Sequence, residues 1–151
     1  MAQTENAISF VAADAYIGAA NPPTTNWGPY GVAVAVSGGT RAVGEQNTRD
    51  GDYPIQKSGK RKGLVVTVRY VYTQVVSQFH DTCAKIYDTD QAPCAFKWIP
   101  GSEADLGLGY IITGGIMTDF MYPQGTVEDG EILKGEVKIS TPRIIEYQVS
   151  A

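Results

Sequence analysis

The chain is predicted to be mainly β with a single α-helix and a long insert between its second and third strands. Three observations predict this. Apolar residues alternate with polar or small ones along most of the chain, the period of a strand. Only VVSQFHDTCAKIYD repeats its apolar residues at three- and four-residue steps. The 27 residues SGGTRAVGEQNTRDGDYPIQKSGKRKG, 37–63, show neither period and lie between two clean strand patterns.

Taken in order, AISFVAADAYIG alternates through Ile8, Phe10, Ala12 and Tyr16, with Asp14 interrupting that face. Asn21 to Pro29 contains three prolines, which remove ladder donors, so this segment is a loop. YGVAVAVSG sets Tyr30, Val32, Val34 and Val36 on one face and Gly31, Ala33 and Ala35 on the other, a face small enough for another layer or subunit to approach closely. After the insert, GLVVTVRYVYTQ places Leu64, Val66, Val68, Tyr70 and Tyr72 together, with Val65, Thr67, Arg69 and Val71 opposite. Bulk on both faces predicts cover from two sides. One helix offers little of it, so a neighbouring subunit is a plausible second cover.

In the helix, Val76, Phe79, Cys83 and Ile86 form the apolar stripe, about three turns long. CAFKWIPG then aligns Cys94, Phe96 and Trp98, and Pro100-Gly101 ends that strand. GYIITGGIMTDFMYP reads as one long strand with a bulge or strong bend at Gly114-Gly115. EILKGEVKIS turns Leu133, Val137 and Ile139 inward and Lys134, Glu136 and Lys138 outward, Thr141-Pro142 breaks it, and RIIEYQVSA alternates Ile145, Tyr147 and Val149.

At 151 residues, 43% hydrophobic and 19% charged, the composition is that of one globular domain spanning 1–151. No run reaches the roughly 18 apolar residues of a membrane span, and MAQTENAISF lacks the pattern of a signal peptide. Synthesis in the cytoplasm with Cys83 and Cys94 reduced is the expectation.

Charge is unevenly spread. The insert carries Arg41, Arg49, Lys57, Lys60, Arg61 and Lys62 against Glu45, Asp50 and Asp52, a net of +3 on a chain of −4, so the remainder carries −7. Such an arm can attract the acidic bodies of its own copies. A solvated polar loop and a nucleic-acid contact are the other two readings. Against the second, the only aromatic in the insert is Tyr53 and the chain is acidic.

Nothing calls for catalysis, a metal or a cofactor. His80 is the only histidine; His80 and Cys83 sit three apart on the helix, but on its core-facing side and without a separate orienting acid. The acidic pairs Asp88/Asp90, Glu103/Asp105 and Glu128/Asp129 lack a calcium-loop pattern, and Gly107-Leu108-Gly109 lacks the residues that follow a phosphate loop.

Three places together resemble the tail tube (major tail) protein family of tailed bacteriophages, related in fold to the tube proteins of contractile injection systems. They are the 37–63 insert between two strands, GLVVTVRYVYTQ running directly into VVSQFHDTCAKIYD, and GYIITGGIMTDF…VEDGEILKGEVKIS…IIEYQV, where an acidic-glycine turn precedes a strand pair. The resemblance implies a β-sandwich or half-open β-barrel flanked by one helix, a structural virion protein rather than an enzyme. It implies hexameric rings stacked head to tail into a hollow tube that delivers DNA. It also implies tape measure, terminator and baseplate or tip proteins as partners, and no membrane. Arg41, Arg49, Asp50, Asp52, Tyr53, Lys57, Lys60, Arg61 and Lys62 would then form the stacking contact, with Asp119, Glu128 and Glu136 as candidate lumen acids. The N-terminal arm of some family members is short here, and Asn21 to Pro29 would supply contacts in its place. The alternatives are a terminator, completion or neck protein that stops at one ring, and a monomeric ligand-binding β-domain using Trp27, Tyr30 and Trp98.

Overall fold

The computed structural model describes residues 13–19, 23, 25–28, 32–47, 49, 51, 53–72, 76–89, 92–101, 107–122, 124 and 133–149. The strands are β1 (Asp14–Gly18), β2 (Ala33–Gly38), β3 (Arg41–Gln46), β4 (Ile55–Arg61), β5 (Leu64–Val71), β6 (Ala95–Ile99), β7 (Leu108–Thr113), β8 (Ile116–Phe120), β9 (Lys134–Thr141) and β10 (Arg143–Gln148). The helix α1 (Phe79–Asp88) falls between β5 and β6. Two antiparallel four-stranded sheets, β1-β6-β7-β10 and β2-β5-β9-β8, form a β-sandwich, and β3-β4 stand apart as a two-stranded ribbon.

The alternation in the sequence becomes the sandwich interior. On β5, Leu64, Val66, Val68 and Tyr70 are buried; Val66 and Val68 face Ile139 and Val137 of β9 in register. Phe96 and Trp98 of β6 meet them from the other sheet, and Trp98 stacks between Phe96 and Tyr110, with ring centroids 5.4 Å apart in each pair. Burying each such side chain contributes about 1.5–3 kcal/mol, so these short strands are held by their inward faces. A second, smaller cluster of Tyr16, Ile99 and Val149 lies on the opposite face of the β1-β6-β7-β10 sheet.

The bend expected at Gly114-Gly115 is a corner. The chain leaves β7 in one sheet and enters β8 in the other, with Gly114 at a φ of 59°. Beside it, Thr141-Pro142 carries the chain from β9 back to β10. The buried Thr141 hydroxyl stitches the two corners, lying 2.6 Å from the Thr113 carbonyl oxygen and 2.9 Å from that of Arg143.

Helix α1 buries Phe79, Cys83 and Ile86 and packs against β8 and β1, closing one side of the sandwich. The apolar stripe was expected to begin at Val76, but Val76 is 75% exposed and precedes the helix, because Ser77 takes a φ of 64° that breaks the helical path. Cys83 and Cys94 are free buried thiols. The Ile8, Phe10, Ala12 part of the first strand pattern and Tyr30 lie outside the described residues.

Candidate assembly surface

The 37–63 insert, expected to lack strand structure, is a β-hairpin arm. β3 and β4 pair in antiparallel register from Gln46↔Ile55 to Arg41↔Arg61, with an irregularity between Arg41 and Val43. The arm continues the β2-β5 pair across a joint: the Gly39 amide donates to the Gly63 carbonyl at 3.1 Å and the Lys62 amide to the Thr40 carbonyl at 2.9 Å. At that joint Gly38 and Gly39 have φ of 87° and 75°, values that glycine tolerates and other residues rarely adopt. The ribbon carries no strand signature because neither face is buried; every residue from Arg41 to Gln46 and from Ile55 to Arg61 is exposed. Selection for an alternating apolar face acts only where one face meets a core.

The described members of the predicted stacking set therefore share one projecting element. Arg41, Lys60, Arg61 and Lys62 gather at its root, Lys57 lies farther along β4, and Arg49 and Tyr53 lie in the segment joining β3 to β4. Asp50 and Asp52 lie outside the described residues. Arg61 Nε donates to the Gly39 carbonyl at 3.2 Å, and Gln56 donates across the ribbon to Glu45 at 2.9 Å. Apolar side chains also stand in solvent here: Tyr53 is 85% exposed, Val43 61%, Ile55 50% and, at the arm root, Val36 45%. A two-stranded ribbon with apolar residues on it and no covering layer is marginal in water by itself.

Of the candidate lumen acids, Asp119 and Glu136 come together on the outer face of the β2-β5-β9-β8 sheet and border an open recess of about 450 Å³ with Phe120, Met121, Tyr122 and Gln124. Glu128 lies outside the described residues. Neither described acid stands alone. Glu136 accepts from Arg69 Nε at 2.8 Å, and the Lys138 ammonium lies 3.8 Å from Asp119. These cross-strand cations, with Lys134 on the same strand face, give this surface a compensated charge rather than an acidic one.

The sheet itself holds the feature that the sequence pattern did not reveal. Its two outer strands, β2 and β8, have no partner on one side among the described strands. Five of the six β2 residues are exposed, and Ala33, Ala35 and Ser37 make its outer face small and flat. Unpaired strand edges are templates for adding another strand.

The helix site has no nucleophile geometry. His80 Nδ1 is hydrogen-bonded to the Tyr70 hydroxyl at 2.7 Å, and its ring packs against Tyr72 and Phe120. Burial lowers the His80 pKa, with Asp81 opposing. Burial also raises both thiols, Cys94 to about 12, which keeps them protonated and unreactive. Trp27 and Trp98, two of the three residues of the ligand-platform alternative, are each 7% exposed and belong to the core.

No protein-family model and no curated protein sequence matches the chain. Solved structures do. A chain of the sheath-tube complex of an extracellular contractile injection system, PVC, in the extended state matches with a TM-score of 0.67 at 16% identity, over 97% of this chain and 95% of that one. A chain of the PVC sheath/tube terminator structure matches at 0.67 and 15%, over 96% and 99%. A chain of the anti-feeding prophage tube-terminating cap matches at 0.65 and 13%, over 98% and 95%. This chain has the fold found in tube, terminator and cap assemblies of contractile injection systems.

Proposed function

We propose that the chain is a structural, self-assembling subunit of a tail-like tube, its rings closed through the edges of the β2-β5-β9-β8 sheet and stacked through the hairpin arm. The observation that carries this is a four-stranded antiparallel sheet that is open at both edges among the described strands, beside a projecting arm whose described residues are all exposed. Three reversals separate β2 from β8, so the two edges run in opposite directions. In a ring of copies, β8 of one subunit therefore meets β2 of the next antiparallel, and the ladder continues without a fault. Such a heterologous contact closes when its rotation divides the circle, and a second head-to-tail contact stacks rings without limit.

Hexameric rings and passage of DNA through a phage tail belong to this reading through the family resemblance, as do tape measure, terminator and baseplate partners. The arm cations set register and encounter rate, since an exposed ion pair is worth about 0–1 kcal/mol, while Val43, Tyr53 and Ile55 supply apolar area to the stacking contact. Likeness to terminator and cap structures favours a second reading, a protein that closes one ring and stops. Sedimentation velocity over a concentration series separates them. Mass that grows with concentration supports the tube, one fixed ring mass supports the terminator, and a monomer throughout contradicts both.

A further inference from the structure

The sandwich has one closed side and one open side. α1 covers the gap between β1 and β8. The gap between β2 and β10 has no such cover among the described elements, and there Val36, Leu64, Trp98, Tyr110 and Ile144 line a groove of about 440 Å³ with Arg61 and Glu146 at its rim. Val36 points toward the interior, in register with the buried Val66, yet it is 45% exposed, since no described element closes this side. The groove thus has an apolar floor and a charged rim.

We propose that this groove is the socket for α1 of a second copy, so that each helix closes its own sandwich on one side and its neighbour's on the other. The inference rests on the ring reading above. When β8 of one copy pairs with β2 of the next, the helix packed on that β8 is carried to the side where β2 and β10 gape. Charge selects the same occupant. α1 turns Asp81, Lys85 and Asp88 away from its buried Phe79, Cys83, Ile86 face. The groove offers one cation, Arg61, which donates to the Gly39 carbonyl, and one anion, Glu146, which accepts from the Tyr110 hydroxyl; no ion pair joins these two among the described residues. The Lys85 ammonium therefore meets Glu146, and the Asp88 carboxylate meets Arg61. Lys85 and Asp88 are three residues apart, on one face of the helix. Lys85 holds Asp81 at 2.7 Å within its own helix while staying largely in solvent, which leaves its ammonium able to accept a second carboxylate.

Carbodiimide cross-linking of the assembled protein, made from mixed light and heavy isotope-labelled subunits, tests this directly. The expected product is a Lys85–Glu146 link containing one light and one heavy peptide. Lys85→Glu and Glu146→Lys singly should raise the concentration needed for ring assembly at least tenfold, and the double variant should restore it, with thermal melts showing that each variant folds. Rings that form without the intermolecular link, or a double variant no better than the singles, overturn the socket while leaving edge-paired rings standing. A wild-type chain that stays monomeric overturns both.

Discussion

Tyr70 of β5 lies across Gly135 of β9: the two residues are register partners, and a Cβ added at Gly135 would collide with the phenol end of the Tyr70 ring, 2.5 Å from Cε2. The same Tyr70 hydroxyl reaches His80, and its ring packs on Phe79 at 4.5 Å. One glycine thus lets the strongest strand dock against the helix.

Gly135→Ala should therefore destabilise the fold by about 1–3 kcal/mol, the usual cost of overpacking a filled core. Tyr70→Phe keeps the ring and loses the hydrogen bond, for about 1 kcal/mol. Chemical denaturation of the two variants checks the order, and an unperturbed Gly135→Ala would contradict the packing described.

His80 makes stability fall in mild acid. Its folded pKa lies below the ordinary 6.5, chiefly through burial and against the pull of Asp81, so the unfolded chain binds the proton first. Stability is complete well above pH 6.5, declines as pH falls through 6.5, and stops declining once pH passes below the folded pKa. Asp81, held below its ordinary value by hydrogen bonds from Lys85 and from the Ser77 amide, adds a separate loss at lower pH, as pH falls from about 3.8 through its folded value. Thermal melts from pH 7.5 to 5 should show the His80 slope, and His80→Gln should flatten it.

The cations at the arm root act on assembly rather than on folding. Lys60, Arg61 and Lys62 are exposed, and among the described residues only the Arg61 side chain of the three is hydrogen-bonded, to the Gly39 carbonyl. Replacing all three by glutamate should shift the melting midpoint by no more than a few degrees and shorten polymers severalfold. Unchanged polymer length in the triple variant would remove charge from the stacking mechanism.

Much of the interior was legible in the residue pattern, and the reason is burial. Val66, Val68, Val137, Ile139, Phe96 and Trp98 alternate because one side of each strand is dry. The arm left no such trace, since β3 and β4 are wet on both faces and the order of Arg, Gly, Lys and Ser there is free of a core's constraint. Charge pairing was hidden for a different cause. Arg69 and Glu136 are 67 residues apart, and only the β5-β9 register brings them to 2.8 Å, so nothing in the residue pattern near Glu136 marks it as paired. The gaping β2-β10 side was equally hidden, because Val36 has the alternation of a core residue and its exposure follows from what fails to cover it.

If the arm orders a neighbour and is ordered by it, amide exchange should report the change. In the monomer, hydrogen bonds of a solvent-exposed ribbon open easily, so amides of residues 40–62 should exchange at least tenfold faster than those of β5. In the polymer, that difference should narrow. Equal protection of the arm in both states would mean that it stacks against nothing.

Electron microscopy of negatively stained protein across a concentration series tests the central claim most directly. The account predicts rings that extend into hollow filaments as concentration rises, their length sensitive to the Lys60, Arg61 and Lys62 replacements. A field of uniform monomers at every concentration would contradict it.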